Sequence, residues 1–188
     1  MKWTCLLMCA LLVASTTGTA DEEASNVPHI TASQYGRCYA KSVPRTLYAS
    51  EGTTKMYSVQ VGDDVLLHTF AWYSPRLFLE CNVGRPKQGV SASLVRFGSW
   101  PRGSKATSRE LAIAFYYDGK LAKAYSTLDI AGSPDNVSAS ESHYTVFNRV
   151  DGYRWHESNL ATFEVLASDG RLLIFDPTTG ELVSAKKP

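Results

Sequence analysis

From Tyr35 onward the chain alternates short apolar runs with clusters of turn-forming residues, and the runs are too short and too rich in β-branched and aromatic side chains for helices. Arg37–Val43, Thr53–Val61, Asp64–Trp72, Arg76–Cys81 and Val90–Phe97 read as successive strands. Within the second, Lys55, Tyr57, Val59 and Val61 alternate with Met56, Ser58 and Gln60, the period of a strand with one solvated face. The stretch Arg96–Thr127 carries the strongest local signal: Glu110–Tyr117 and Lys120–Thr127 flank Asp118-Gly119. Asp-Gly between two strand-like runs predicts a type I′ hairpin, because both central residues of that turn need positive φ.

Two further Asp-Gly pairs extend the pattern. Asp151-Gly152 predicts a hairpin between Ser142–Val150 and Tyr153–Glu157, and Asp169-Gly170 one between Ala161–Ser168 and Arg171–Asp176. Leu128–Asn136, with its Gly, Ser-Pro and Asp-Asn, reads as a turn-rich crossing, and Asp176–Gly180 returns the chain into a last strand, Glu181–Ala185. A short helix over Ser158–Leu166, capped by Ser158, is the one competing element. Three hairpin signals in one chain argue against a helical or parallel α/β protein. The expected fold is therefore all-β: an antiparallel β-sandwich or partly open barrel of about ten short strands, with one disulfide and at most one short helix. The unequal Asp-Gly spacings and dissimilar flanks give no internal repeat.

The first residues follow another logic. Lys2, the apolar run Cys5–Val13 and the small residues Thr17–Ala20 have the order of a secretory signal over residues 1–20. The apolar run is shorter than the roughly twenty residues of a spanning helix. A lipoprotein reading of Leu6-Leu7-Met8-Cys9 fails because Met8 stands where a small residue is needed. Residues 21–35, acid-rich at the start and broken by Pro28, read as a flexible mature N-terminus, leaving a single β-domain over 36–185. Export also settles the cysteines: Cys5 and Cys9 leave with the leader, so Cys38 and Cys81 are expected to form one structural disulfide in a secreted or periplasmic protein.

With Lys2 removed, the 19 basic residues become 18 and balance the 18 acidic ones. Neutrality argues against a nucleic-acid partner, and no integral membrane segment is expected after cleavage. The distribution is uneven. Asn82–Arg109 holds Arg85, Lys87, Arg96, Arg102, Lys105 and Arg109 with no carboxylate, whereas Asp129–Asp169 holds seven carboxylates against Arg149 and Arg154. Gly98–Arg109 sets Trp100 among three of those cations in loop-forming sequence, so Arg96, Trp100, Arg102, Lys105 and Arg109 form the candidate binding set.

Catalytic chemistry is poorly represented. There is no Gly-x-Ser-x-Gly elbow, no Cys-x-x-Cys and no phosphate-binding glycine loop, and His156-Glu157 is not His-Glu-x-x-His because position 160 is Leu. No metal site and no cofactor are expected. His29 and His68 read as solvated or structural. The leading expectation is an exported, non-catalytic β-domain that binds a protein or glycan partner through surface loops. A small secreted hydrolase using His156, Glu157 and a further carboxylate, with His143 nearby, is one alternative, and a structural envelope component is another.

Overall fold

The computed structural model describes residues 26–48, 50–84, 90–157 and 160–187. The leader at 1–20, residues 21–25, Arg85, Lys87, Ser158 and the Glu157 side chain lie outside the described residues.

The fold is all-β and antiparallel, built from three four-stranded meanders that follow one another along the chain. The first contains β1 (His29–Ala32), β2 (Cys38–Pro44), β3 (Gly52–Ser58) and β4 (Val65–Phe70). The second contains β5 (Leu77–Cys81), β6 (Ala92–Phe97), β7 (Leu111–Tyr117) and β8 (Lys120–Ser126). A one-turn helix, α1 (Thr127–Ala131), and the two-residue pair β9 (Ser138–Ala139) and β10 (Tyr144–Thr145) lead to the third, β11 (Phe147–Glu157), β12 (Leu160–Ala167), β13 (Leu172–Phe175) and β14 (Leu182–Lys186).

The second sheet lies between the other two. On one face Leu77, Leu79, Cys81, Ala92 and Leu94 pack with Cys38, Ala40, Met56 and Phe70 of the first sheet. On the other, Val95, Phe97, Ile113 and Phe115 pack with Phe163, Val165, Leu173 and Phe175 of the third. Covering both faces explains why β6 and β7 are almost continuously buried instead of alternating. The expected disulfide joins Cys38 on β2 to Cys81 on β5, with Cα atoms 6.1 Å apart, and so ties the first layer to the central one.

Asp118 (φ 46°) and Gly119 (φ 75°) form the two-residue turn between Tyr117 and its partner Lys120, as type I′ geometry requires. A Cβ on Gly119 would also run into the His68 ring, so the turn and β4 depend on that glycine together. Asp169-Gly170 also ends a hairpin, but a wider one. Only Gly170 has positive φ, Ala167 N–H donates to Arg171 O, and the last ladder pair is Leu166 with Leu172.

Asp151-Gly152 is not a turn. Both residues lie inside β11, where Val150 faces Val165 and Gly152 faces Glu164, leaving Asp151 as the extra residue of a bulge. Gly152 has φ 81° and rests against the Phe78 ring, so the glycine bends the strand around an aromatic of the central sheet. The hairpin closes instead beyond Glu157, whose ladder partner is Leu160. The competing helix is likewise replaced by β12, in which Phe163, Val165 and Ala167 point inward with period two. The helix that does form, α1, lies at the start of the expected turn-rich crossing. Ser126 and Asp129 close a capping box around its first turn, and Gly132 (φ 70°) ends it. Strand structure also begins at His29, inside the segment read as flexible, because β1 completes the ladder of β2.

Candidate functional site: an aromatic pocket under the basic loop

β6 hands the chain to the loop at Phe97, and backbone hydrogen bonds then fasten that loop to β7 and to the segment after β8. Gly98 N–H donates to Ala112 O, Gly103 N–H to Ser142 O, Ala106 N–H to Pro134 O and Tyr144 N–H to Pro101 O. Thr107 N–H donates to the Thr127 hydroxyl at the head of α1 (2.8 Å). The loop is therefore held at both ends, and Ala106 in its middle is buried.

Beneath it opens a cavity of about 200 Å³, lined by Arg76, Phe97, Trp100, Leu111, Tyr144 and Phe147 among others. Trp100 forms its lip. The indole stacks on the His143 ring (centroids 4.6 Å apart, planes at 24°), yet it keeps 46% of its surface exposed. His143 is buried, with Nδ1 2.8 Å from the Ser142 hydroxyl. Its Nε2 has no hydrogen-bond partner among the described residues. Tyr144 presents its ring to the wall while its hydroxyl meets Thr127 Oγ1 at 2.9 Å. The Arg76 guanidinium lies over the Phe97 and Phe78 rings at 5.1 and 5.5 Å, and no carboxylate pairs with it among the described residues. Partial burial against those rings lowers its affinity for the proton.

The five residues chosen from the sequence do not converge. Trp100 is at the pocket. Arg96 is on the opposite face of β6 from Phe97, its guanidinium 4.5 Å over Trp72 between the first two sheets. Arg102 is exposed and lies opposite His143 in an isolated bridge. Lys105 pairs with Asp135 (3.3 Å), so part of the loop's positive charge meets the acidic half of the same chain. Arg109 is exposed, with its backbone N–H on Thr107 Oγ1. Arg76, which completes the pocket, escaped the sequence reading because it precedes a strand 24 residues before Trp100. It reaches the pocket only because β5 pairs with β6, and its carbonyl accepts from Phe97 N–H.

His143 and His156 are set apart by β11, whose eleven residues extend over about 30 Å. His156 is exposed, with Nε2 3.0 Å from Thr162 Oγ1. Among the described residues no three His, Cys or carboxylate groups gather as a metal site would need.

A second cavity, about 240 Å³, lies where β1, β5 and β11 come together, lined by Thr31, Gln34, Glu80, Asp151 and Tyr153 among others. Glu80 is a buried carboxylate inside the apolar run of β5, accepting from Gln34 N–H at 2.7 Å. Burial raises its pKa, offset in part by that hydrogen bond and by Arg37. Arg149 holds Asp151 below the ordinary carboxylate range, while burial pushes the Tyr153 phenol up although Ser93 Oγ lies 2.9 Å away. A carboxyl whose folded pKa is raised stabilises the fold fully below its unfolded pKa, and the contribution is lost as pH rises through the folded value. Glu80→Gln, which keeps the acceptor for Gln34, is therefore expected to raise the melting temperature at pH 8, with the gain vanishing below about pH 4. Paired melts across that range check it; a gain that grows toward acid contradicts the assignment.

Comparison of the chain with protein-family models, curated proteins and solved structures finds no match.

Proposed function

We propose that the protein is a non-catalytic binding domain of an oxidising compartment, and that its pocket takes one ring-sized acidic unit of a protein or glycan partner. The observation that carries this reading is the half-exposed Trp100 at the lip of an apolar pocket whose one cation, Arg76, lacks a carboxylate partner among the described residues. At about 200 Å³ the cavity is smaller than the roughly 300–1,000 Å³ of pockets for drug-sized ligands, which suits a single ring or side chain. The indole face offers stacking to that ring, and the guanidinium a bidentate partner for a carboxylate. The disulfide is compatible with an exported protein.

Glucuronate and benzoate serve as minimal probes, followed by nuclear magnetic resonance of the Trp100 indole. The wild type is expected to show saturable shifts that Arg76→Ala weakens roughly tenfold or more, a loss of about 1.4 kcal/mol or greater. Lys105→Ala, whose side chain already meets Asp135, is expected to change little. Absence of shifts at millimolar probe, or equal shifts in Arg76→Ala, overturns the reading.

A further inference from the structure

The outer face of the first sheet carries a charge arrangement that works against folding. Opposite the buried face formed by Ala40, Ser42, Thr54, Met56 and Phe70, the ladder sets two rows of side chains toward solvent. One row runs Ile30, Lys41, Lys55, Thr69; the next runs Ala32, Tyr39, Tyr57, Leu66. Lys41 and Lys55 are direct cross-strand partners, and like charges so placed, with Cβ atoms about 5 Å apart, destabilise a sheet. β1 to β4 contain no carboxylate, and neither lysine makes an ion pair among the described residues.

Beside the lysines Tyr39 and Tyr57 stack (centroids 5.0 Å apart, planes at 17°), and the Tyr39 hydroxyl donates to Oδ2 of Asp64, just before β4, at 3.0 Å, which fixes the ring. Ile30 is 65% exposed and Leu66 49%, so the apolar ends of both rows are also open. Two unneutralised cations next to an ordered aromatic pair form a surface complementary to a carboxylate joined to a flat, partly apolar ring.

We propose that this face docks an acidic polysaccharide, one uronate carboxylate bridging Lys41 and Lys55 while a neighbouring sugar ring lies along Tyr39 and Tyr57. The two rows are two residues apart along β1, β2 and β3, about 7 Å, close enough for linked sugars to meet both. A bridging carboxylate supplies the counter-charge that the sheet itself lacks. A nucleic acid is disfavoured because its interfaces are strongly basic, whereas this face offers two cations in a chain whose net charge is +1. The site is separate from the Trp100 pocket and does not rest on it.

The test is retention on immobilised polygalacturonate, with neutral dextran and single-stranded poly(dT) as the other arms, for the wild type, Lys55→Glu and Lys41→Gln/Lys55→Gln. The wild type is expected to be retained on polygalacturonate alone and released by salt. Both lysine variants are expected to weaken retention roughly tenfold or more. Lys55→Glu replaces a like-charge pair by a complementary one, so it is expected to melt no lower than the wild type, which separates lost binding from lost folding. No retention, undiminished retention of the lysine variants, or equal retention on poly(dT) each overturns the proposal.

Discussion

Replacing Cys38 and Cys81 together by alanine is expected to lower stability by up to about 4 kcal/mol, the chain-entropy value for the 43-residue separation that the bond closes. For a domain of this size that is a fall in melting temperature of roughly 8–16 °C. The size of the effect follows from where the bond lies. The layer it joins to the centre has a partly polar inner face: beside Ala40, Met56 and Phe70, Ser42 and Thr54 are buried against each other (2.9 Å), and Ser42 also accepts from Ser74 N–H. Such groups satisfy one another but contribute little burial of apolar surface. The other interface, between the second and third sheets, is lined by large aromatic and aliphatic side chains. Loss of the bond should therefore release the first sheet before the rest. Hydrogen exchange on the double variant is expected to show β1–β4 losing protection while β6, β7 and β12 retain theirs; uniform loss, or an unchanged melting temperature, contradicts this account.

Phe163→Ala is expected to cost about 3–5 kcal/mol, the range for truncating a buried phenylalanine. Phe163 is fully buried at the centre of an aromatic cluster, with ring centroids of Phe78, Tyr153, Phe115 and Phe97 at 5.5, 5.3, 5.9 and 6.2 Å. Packed rings on several sides leave little room to collapse, so the cavity persists and its cost is added to the lost transfer energy. Phe97 belongs both to this cluster and to the pocket wall, so the variant is also expected to weaken probe binding beneath Trp100. Chemical denaturation gives the stability loss directly. A change below about 1 kcal/mol would mean that the third sheet packs on the centre less tightly than these contacts imply.

The Asp-Gly signals show how far local pattern carries. The dipeptide predicts positive φ, and a glycine adopts it in all three cases. At 118–119 the flanking strands pair with each other and the result is a hairpin. At 151–152 the same dihedral freedom is used to pass Phe78, and the strand continues. Nothing within a few residues of Asp151 distinguishes the two uses, because the deciding contact comes from a strand some seventy residues earlier. Helix α1 differs, since its capping box is local to Ser126 and Asp129, but at five residues it is too short to show a helical period beside the turn residues that follow. The candidate site divides in the same way. Trp100 announced itself by loop chemistry, whereas Arg76, His143 and Tyr144 reach its surroundings through strand pairing and loop-to-loop hydrogen bonds.

Backbone chemistry and side-chain period were enough to determine an antiparallel all-β chain, the Asp118-Gly119 hairpin and the pairing of Cys38 with Cys81, because each depends on turn dihedrals, two-residue alternation or a count of available partners. Three things were left to the tertiary structure: the stacking of three meanders with the second buried on both sides, the convergence of Arg76 with Trp100, and the alignment of Lys41 with Lys55. Each depends on register and layer order, which are set by the summed packing of distant strands and by no single segment.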